Sequence, residues 1–446
     1  MSHVLDQPAQ QRIAVVGTGY VGLTTGACFA HVGFDVVCAD IDADKVARLQ
    51  GGEIPIVEDG LAEIVADAVA AGRLTFVVGA ATAAADADII FLCVPTPQDD
   101  DGSADLSYVQ AAAAEIAPVL RPGAVVVNKS TVPVGSTLVV ERVMQRPDVS
   151  VVSNPEFLRE GTAVHDFLHP DRVVIGGDRP EAAQDVARLY AGFDTDIILT
   201  DAASAETIKY AANGFLAMKI SFVNAVAAMC EAVGADVEAV VAGIGSDRRI
   251  GPAFLKPGPG WGGSCFPKDT RALVSIAAQH GYDFSMMRGV VSVNDEQLER
   301  MVRKVANAAG RTVSGYRPLD GVRVGALGLT FKAGTDDLRE SPSLTIIRRL
   351  AALGADVHGY DPTVALELST VQEARLVDVS VYDSPIAALT DVDVAVVLTE
   401  WPEFASLDLV KARAVMRGGA IVDTRNLLNP VDVRAAGFSY DSVGRP

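Results

Sequence analysis

Residues 12–40 read RIAVVGTGYVGLTTGACFAHVGFDVVCAD. A short apolar run meets three glycines in GxGxxG spacing, then a helix-patterned stretch, then a second apolar run ending at Asp40. That order restricts the fold severely. A strand, a tight glycine turn, a helix and a second strand open a parallel, Rossmann-like α/β unit. In such a unit Gly17 makes the turn, Gly19 lets the backbone approach a pyrophosphate, and Gly22 lets the helix pack closely, with Tyr20 and Val21 between them. Free N–H groups and the dipole at the helix N-terminus would hold the pyrophosphate. Asp40 would accept the adenosine ribose hydroxyls and repel a 2′-phosphate, which selects NAD over NADP. Lys45 is placed for the same ribose or phosphate, although a solvated helix lysine reads identically.

Further apolar runs follow at 74–78, 88–94, 124–128, 150–153 and 172–176. Val- and Ile-rich runs of this kind, separated by helical patterns, imply a parallel sheet covered on both faces. Ligands bind beyond the carboxyl ends of such strands, so Pro95, Thr96, Ser130 and Thr131 are expected to line the cofactor crevice. From 201 the pattern becomes one long helix that closes at Gly234. After a linker-like GYRPLDG, the run RVGALGL and the later YDP, VDVAVVLT and AIVDTRN repeat the opening theme. The expected fold is α/β, with two Rossmann-like, doubly wound parallel-sheet domains joined by a long central helix. Its regions are an NAD-binding domain at 1–200, a helical dimerisation and active-site domain at 201–312, and a nucleotide-sugar domain at 313–446.

Composition narrows the partners. The 446 residues carry a formal charge of −20; such a chain repels phosphate backbones, so nucleic acid is not expected. The polar start MSHVLDQPAQQR lacks a signal-peptide pattern, and the most apolar segment, 210–230, is broken by Asn213, Lys219 and Asn224. Neither export nor a membrane span is expected, and the cytoplasm is the expected compartment. Five scattered cysteines without a CxxC pair, and six histidines without metal-ligand spacing, argue against a disulfide framework or a metal site.

One cysteine stands apart. In GPGWGGSCFPKD, Cys265 follows a glycine-rich run and precedes a helix start marked by Pro267. A helix N-terminus and nearby Lys268 both favour a thiolate. The other four cysteines lie within apolar helices or strands and read as small core residues. Lys209 and Asn213, four residues apart on the long apolar helix, share a face and need partners or a ligand. Glu156 and Glu160 in SNPEFLREG are also four apart, the spacing of a solvated helix face. A hydride acceptor beside a nucleophilic thiol suggests oxidation of an aldehyde through a thiohemiacetal and a thioester to an acid.

Together GTGYVG, STVPVGS, SNPEFLREG, DRRIG, GPGWGGSCFPKD, GLTFK, TDDLRES and YDP, in this order, resemble the UDP-glucose/GDP-mannose dehydrogenase family. The resemblance implies a four-electron, NAD-dependent oxidation of a nucleotide sugar at C6, and a homodimer formed through the central helix. It matches Cys265 to the nucleophile, Lys209 and Asn213 to groups that hold oxyanions, and Thr131 with Asp269 to the water site. Glu156 matches an acid/base carboxylate near the reacting carbon. Glu160, Lys268 and Arg339 fall on cofactor or closure positions. For the substrate it implies Phe157 and Leu158 beside Glu156, the loop Phe254, Leu255 and Lys256, and Gly262. Arg249, Phe331, Lys332 and Arg425 complete that set. Trp261 stands where the family often has Phe or Tyr. The intact SCFPKD after FLKPGPG points within the family to UDP-glucose as substrate and UDP-glucuronate as product. GDP-mannose, an N-acetylated UDP-hexosamine, a two-electron hydroxy-acid dehydrogenase and a non-catalytic nucleotide binder are the alternatives.

Overall fold

In the computed structural model, which describes residues 11–98, 104–364 and 370–445, the apolar runs form two separate sheets. The polar N-terminal residues 1–10 lie outside the described residues. The first sheet contains β1 (Arg12–Val16), β2 (Asp35–Asp40), β3 (Leu74–Val78), β4 (Ile89–Leu92), β5 (Val125–Asn128), β6 (Ser150–Ser153), β7 (Arg172–Gly176) and β8 (Asp196–Thr200). Its spatial order is 3-2-1-4-5-6-7-8. The second contains β9 (Arg323–Leu327), β10 (Asp356–Tyr360), β11 (Ser380–Val381), β12 (Val394–Val397), β13 (Ala420–Asp423) and β14 (Ser439–Ser442). Its order, 11-10-9-12-13-14, repeats that of the first six strands of the other sheet.

Strand alternation explains why both faces of each sheet are covered. On β1, Ile13 and Val15 enter one core while Ala14 and Val16 enter another. On β12, Val394 and Val396 divide from Ala395 and Val397 in the same way. The wholly parallel first sheet expected from sequence needs one correction: β6 meets β7 antiparallel, through Ser153 and Gly176, while β7 and β8 run parallel to each other. Between β6 and β7 the chain forms a loop and one six-residue helix, Ala163–Leu168, and no long crossover helix carries it back to the starting end.

The helices that position functional residues are α1 (Tyr20–His31), α2 (Ser136–Met144), α3 (Ala202–Val233), α4 (Phe266–Gln279) and α5 (Ser285–Ala308). The chain divides into two compact units. One takes the chain up to Ala212 with Arg271–His280; the other takes Asn213–Thr270 with the chain from Gly281 onward. By length and composition α3 could cross a membrane, although only 33% of its most apolar window is buried in this chain. Its polar residues are nevertheless tied to the protein. Asn213 donates to Asp269 and Asn224 accepts from the Gly258 amide. Gly234 ends the helix with φ +73°, a conformation that costs glycine little.

Each sheet carries an aspartate at the end of its second strand. Asp361, just past β10, accepts from the Leu329 and Thr330 amides, the Thr330 hydroxyl and Trp401 Nε1 through one oxygen. Its other oxygen takes the Thr363 amide and hydroxyl. Within the first unit, the buried Glu206 of α3 accepts from the Gly135 and Thr137 amides and the Thr137 hydroxyl, at 2.6–3.0 Å. That carboxylate satisfies free donors at the start of α2 and fixes the loop that precedes it. Glu206→Ala should lower the urea midpoint of the first unit, at a cost of about 2–3 kcal/mol for buried donors left unpaired. Glu206→Gln, which keeps an acceptor, should cost less, and tryptophan-independent far-UV circular dichroism would measure both.

Candidate active site

The cofactor crevice follows from three glycines with different constraints. Gly17 has φ +95°, and an added Cβ would lie 2.6 Å from the Cys93 carbonyl oxygen. At Gly22 an added Cβ would meet the Gly17 carbonyl oxygen at 1.9 Å. At Gly19 an added Cβ would meet nothing within 4 Å, and α1 begins immediately after it without a side-chain cap. Open space beside unsatisfied helix N–H groups fits a pyrophosphate. At the end of β2, Asp40 takes the Thr18 amide and hydroxyl and Lys45 Nζ on one oxygen, and the Asp42 amide on the other. Burial alone would raise its pKa, but the Thr18, Lys45 and Asp42 contacts hold it at about 2. It is therefore an anion at any working pH. Lys45 is tied to Asp40 rather than extended to solvent.

Beyond β4 and β5 the strand-end residues are cross-linked. Ser130 donates to the Val94 carbonyl, and Thr96 donates to the Thr131 carbonyl, which orders Pro95 between them. Tyr20 accepts from the Gly161 amide at 2.6 Å, next to Glu160 in sequence. Glu58, unnoticed in the sequence, also takes the Gly161 amide and that of Ala163, and anchors this turn.

Glu156 and Glu160 do not share a helix face, which corrects the spacing argument. Residues 154–159 run without helix, because Pro155 lacks an N–H and Glu156 accepts the Leu158 amide. Glu156 is buried, and its carboxylate meets Lys209 Nζ at 2.7 Å. Lys209 also donates to the Glu156 backbone carbonyl, and Phe157 places its ring 5.4 Å from the same ammonium. Burial pushes the Glu156 carboxyl up, but Lys209, the Leu158 amide and Lys129 together hold it below its ordinary value.

In the second unit, four side chains that hold the cysteine loop escaped the sequence reading. Gly258 is held at its amide by Asn224 and at its carbonyl by Gln297. Asn294 binds both the amide and the carbonyl of Trp261, whose indole N–H reaches Ser221. A signal was available for Ser221 and Asn224, polar residues on the apolar α3; Asn294 and Gln297, on the charge-rich α5, are identified by their burial. Gly262 and Gly263 pass against the second α/β region, where an added Cβ would lie 2.1 Å from the Glu340 carbonyl oxygen and 2.9 Å from the Phe331 ring. Clamped in this way, the loop delivers Cys265 to the start of α4, where its carbonyl accepts the Asp269 amide. Phe266, rather than Pro267, is the first helical residue.

Cys265 is partly exposed, whereas Cys28, Cys38, Cys93 and Cys230 are buried. Burial pushes Cys28 and Cys93 up to about 12, so neither supplies a thiolate near neutrality. Asp269 is fully buried, accepts from Asn213 at 2.6 Å and pairs with Lys268 at 3.0 Å. Arg425 donates to the Leu398 and Phe331 carbonyls, pairs with Glu400, and lies beside Gly258. Lys332 sits over the Phe331 ring, and Phe254, with φ +61°, faces Phe266. Leu255 is buried and Lys256 exposed. Arg249 and Arg339 each form an ion pair with an aspartate two residues before it, Asp247 and Asp337, and the Arg249 side chain is 88% exposed.

Models of the UDP-glucose/GDP-mannose dehydrogenase family match three segments. Its NAD binding domain matches residues 11–194, its central domain 203–296 and its UDP binding domain 325–430. The chain is 46% identical to the UDP-glucose 6-dehydrogenase TuaD of Bacillus subtilis strain 168, over 98% of this chain and 94% of that protein. Among solved structures, a UDP-glucose dehydrogenase from Pyrobaculum islandicum aligns with a TM-score of 0.89 at 37% identity and covers 100% of both chains. A UDP-D-ManNAc dehydrogenase from Pyrococcus horikoshii gives 0.85 at 29%, covering 98% of this chain and 99% of that one.

The glycines predict two distinct failures. Gly19→Val should leave the thermal midpoint near that of the wild type yet weaken NAD binding at least about tenfold, since open space is filled where the pyrophosphate approaches. Gly22→Ala should instead destabilise the fold by about 2–4 kcal/mol, because only backbone and a buried Cβ could yield. NADH fluorescence titration and thermal melting separate the two.

Proposed function

As the chain belongs to the UDP-glucose/GDP-mannose dehydrogenase family, we propose that it oxidises the C6 alcohol of UDP-glucose to the carboxylate of UDP-glucuronate. The balanced reaction takes one UDP-glucose, two NAD⁺ and one water to UDP-glucuronate, two NADH and three protons. The observation that carries this reading is Cys265, the one partly exposed thiol of five, at a helix start behind a loop clamped by four buried polar side chains. The kinship with named UDP-glucose dehydrogenases supports the choice of sugar nucleotide.

NAD supplies the hydride acceptor when bound at Gly17, Gly19, Tyr20, Val21 and Gly22. Asp40 and Lys45 hold the ribose end, and Pro95, Thr96, Ser130 and Thr131 line the strand ends. Glu160, Lys268 and Arg339 act in cofactor contact or closure. Cys265 adds its sulfur to C6 of the aldehyde, forming a C–S bond as the carbonyl oxygen takes a proton. After the second oxidation C6 is held as a thioester. Water then adds, the C–S bond breaks, and the thiol is restored. Lys209 and Asn213 stabilise the oxyanions of these steps, and Asp269 with Thr131 orders the water. Glu156, kept ionised by Lys209, accepts the proton released. Phe157, Leu158, Arg249, Phe254, Leu255, Lys256, Gly262, Phe331, Lys332 and Arg425 bind the nucleotide sugar. In this reading residues 1–200 serve the cofactor, 201–312 the chemistry and dimer, and 313–446 the nucleotide, in the cytoplasm.

The dimer has a specific physical support. Ala211, Phe215, Met218, Phe222, Ala225 and Met229 follow alternating steps of four and three along α3, the spacing of a coiled-coil seam. Phe215, Phe222 and Met229 are 56–58% exposed, an apolar stripe that a second copy of the same helix would cover.

Turnover of UDP-glucose should yield two NADH per sugar, and Cys265→Ser should abolish release of the acid. A panel with GDP-mannose, UDP-GlcNAc and UDP-ManNAc would reassign the substrate if only one of those gave two equivalents. For the seam, Phe215→Glu with Phe222→Glu should halve the mass measured by light scattering; an unchanged dimer mass would exclude this face.

A further inference from the structure

The segment that follows β5 holds a buried cation that none of the roles above uses. Lys129 is 5% exposed and lies one residue past the strand end, beside Asn154 at the corresponding point past β6. The two segments are joined by the Asn154 amide donating to the Asn128 carbonyl at 3.0 Å. Lys129 Nζ donates to Asn154 Oδ1 at 3.0 Å and to the Tyr190 hydroxyl at 3.3 Å. Tyr190 in turn donates to the same Oδ1 at 2.8 Å, and Asn154 Nδ2 donates to the Val174 carbonyl at 2.7 Å. Every polar atom of the Asn154 side chain is therefore committed. Two residues later the chain presents Glu156 to Lys209.

The acceptors of Lys129 are neutral, so hydrogen bonds alone do not balance a buried positive charge. The titratable groups that influence it are Cys93 from the end of β4, Glu156 from the loop and Lys209 from α3. Tyr190 faces it directly and is pushed above its ordinary range by burial. Cys93 is also held protonated, which leaves Glu156 as the one carboxylate among these groups. Both lysines act on Glu156. Burial draws Lys129 down to about 8, while Cys93 and Glu156 act in the opposite direction. Lys129, Asn154, Glu156, Phe157 and Tyr190 also line one pocket with a volume of about 120 Å³. Glu156 and Lys129 are both buried residues of this pocket lining, and buried charges are screened less than those in water.

We propose that Lys129 is a positioning residue: it locks Asn154 so that Glu156 meets Lys209, and its charge keeps Glu156 ionised. The proposal rests on the role given to Glu156 above. With Lys129 charged, Glu156 faces a second positive charge beside that of Lys209. That charge favours an ionised carboxylate and an anionic reaction intermediate. Without it, Glu156 loses one of the cations that keep it ionised, and the carboxyl titrates closer to neutrality.

The test compares the wild type with Lys129→Met, Lys129→Arg and Asn154→Asp. Wild-type turnover with the sugar panel judges the proposed function first, and the comparison then uses whichever sugar nucleotide gives two NADH. The expected result for Lys129→Met is an acidic limb of the kcat profile moved up by about one pH unit, with the KM for NAD within about twofold of wild type. Lys129→Arg should restore the limb. Asn154→Asp is isosteric and gives Lys129 a carboxylate of its own. It should also shift the limb upward, and it decides the question should Lys129→Met not fold. A folded Lys129→Met, or failing that a folded Asn154→Asp, with the wild-type limb would overturn the proposal, as would equal losses in Met and Arg variants without a pH shift.

Discussion

A buried ion pair, Glu156 with Lys209, is the interaction around which the first unit arranges its functional elements. Two charges removed from water must compensate each other closely, and deleting one partner of such a pair typically costs about 3–5 kcal/mol. This requirement explains local choices that otherwise look unrelated. Pro155 and the Leu158 amide keep the loop out of a helix, Asn154 pins its start, and α3 runs with Lys209 on a buried face. Glu206, one turn earlier on α3, ties the same helix to the loop before α2. Both partners in the pair are thereby set by backbone elements rather than by flexible side-chain reach.

The second unit reaches comparable order by different means. Its cysteine loop contains glycines that permit close approach but cannot by themselves define a conformation. Definition comes from amide side chains on α3 and α5 that bind the loop backbone and from the Ser221 hydroxyl, which accepts the Trp261 indole N–H. Buried polar groups are expensive unless each finds a partner, and here the partners are the loop's N–H and C=O groups and the Trp261 indole. Removal of either side would leave the other unsatisfied, so loop and helices specify each other.

Much of this was legible in the sequence because period and punctuation report local physics. The six parallel strands of the first sheet, the glycine turn, Asp40 and the limits of α3 follow from apolar runs and glycine positions. The odd status of Cys265 followed from its neighbours, and its partial exposure agrees. Other features needed the third dimension. The reversal of β7 depends on where a loop returns, which strand pattern does not encode. The spacing of Glu156 and Glu160 suggested a helix, and Pro155 with the Glu156 turn overrode it. Lys129 was invisible because a lysine after a strand usually reaches solvent; only the pairing of β5 with β6 reveals that it is enclosed. Arg249 and Arg339, expected from resemblance alone, each pair with an aspartate two residues earlier, a local contact the motifs did not signal.

The two strand-end aspartates show how a repeated fold can shed a repeated chemistry. Asp40 and Asp361 both accept an amide and a hydroxyl from a threonine in the preceding glycine turn. Asp40 keeps lone pairs to offer: one oxygen accepts a single amide. Asp361 has none to spare, with six donors from its own chain, the Trp401 indole N–H among them. An acceptor saturated from within is no longer a recognition element, and the aspartate has become a structural cross-link. Two sheets of one strand order thus differ in what the aspartate after the second strand can still offer a ligand.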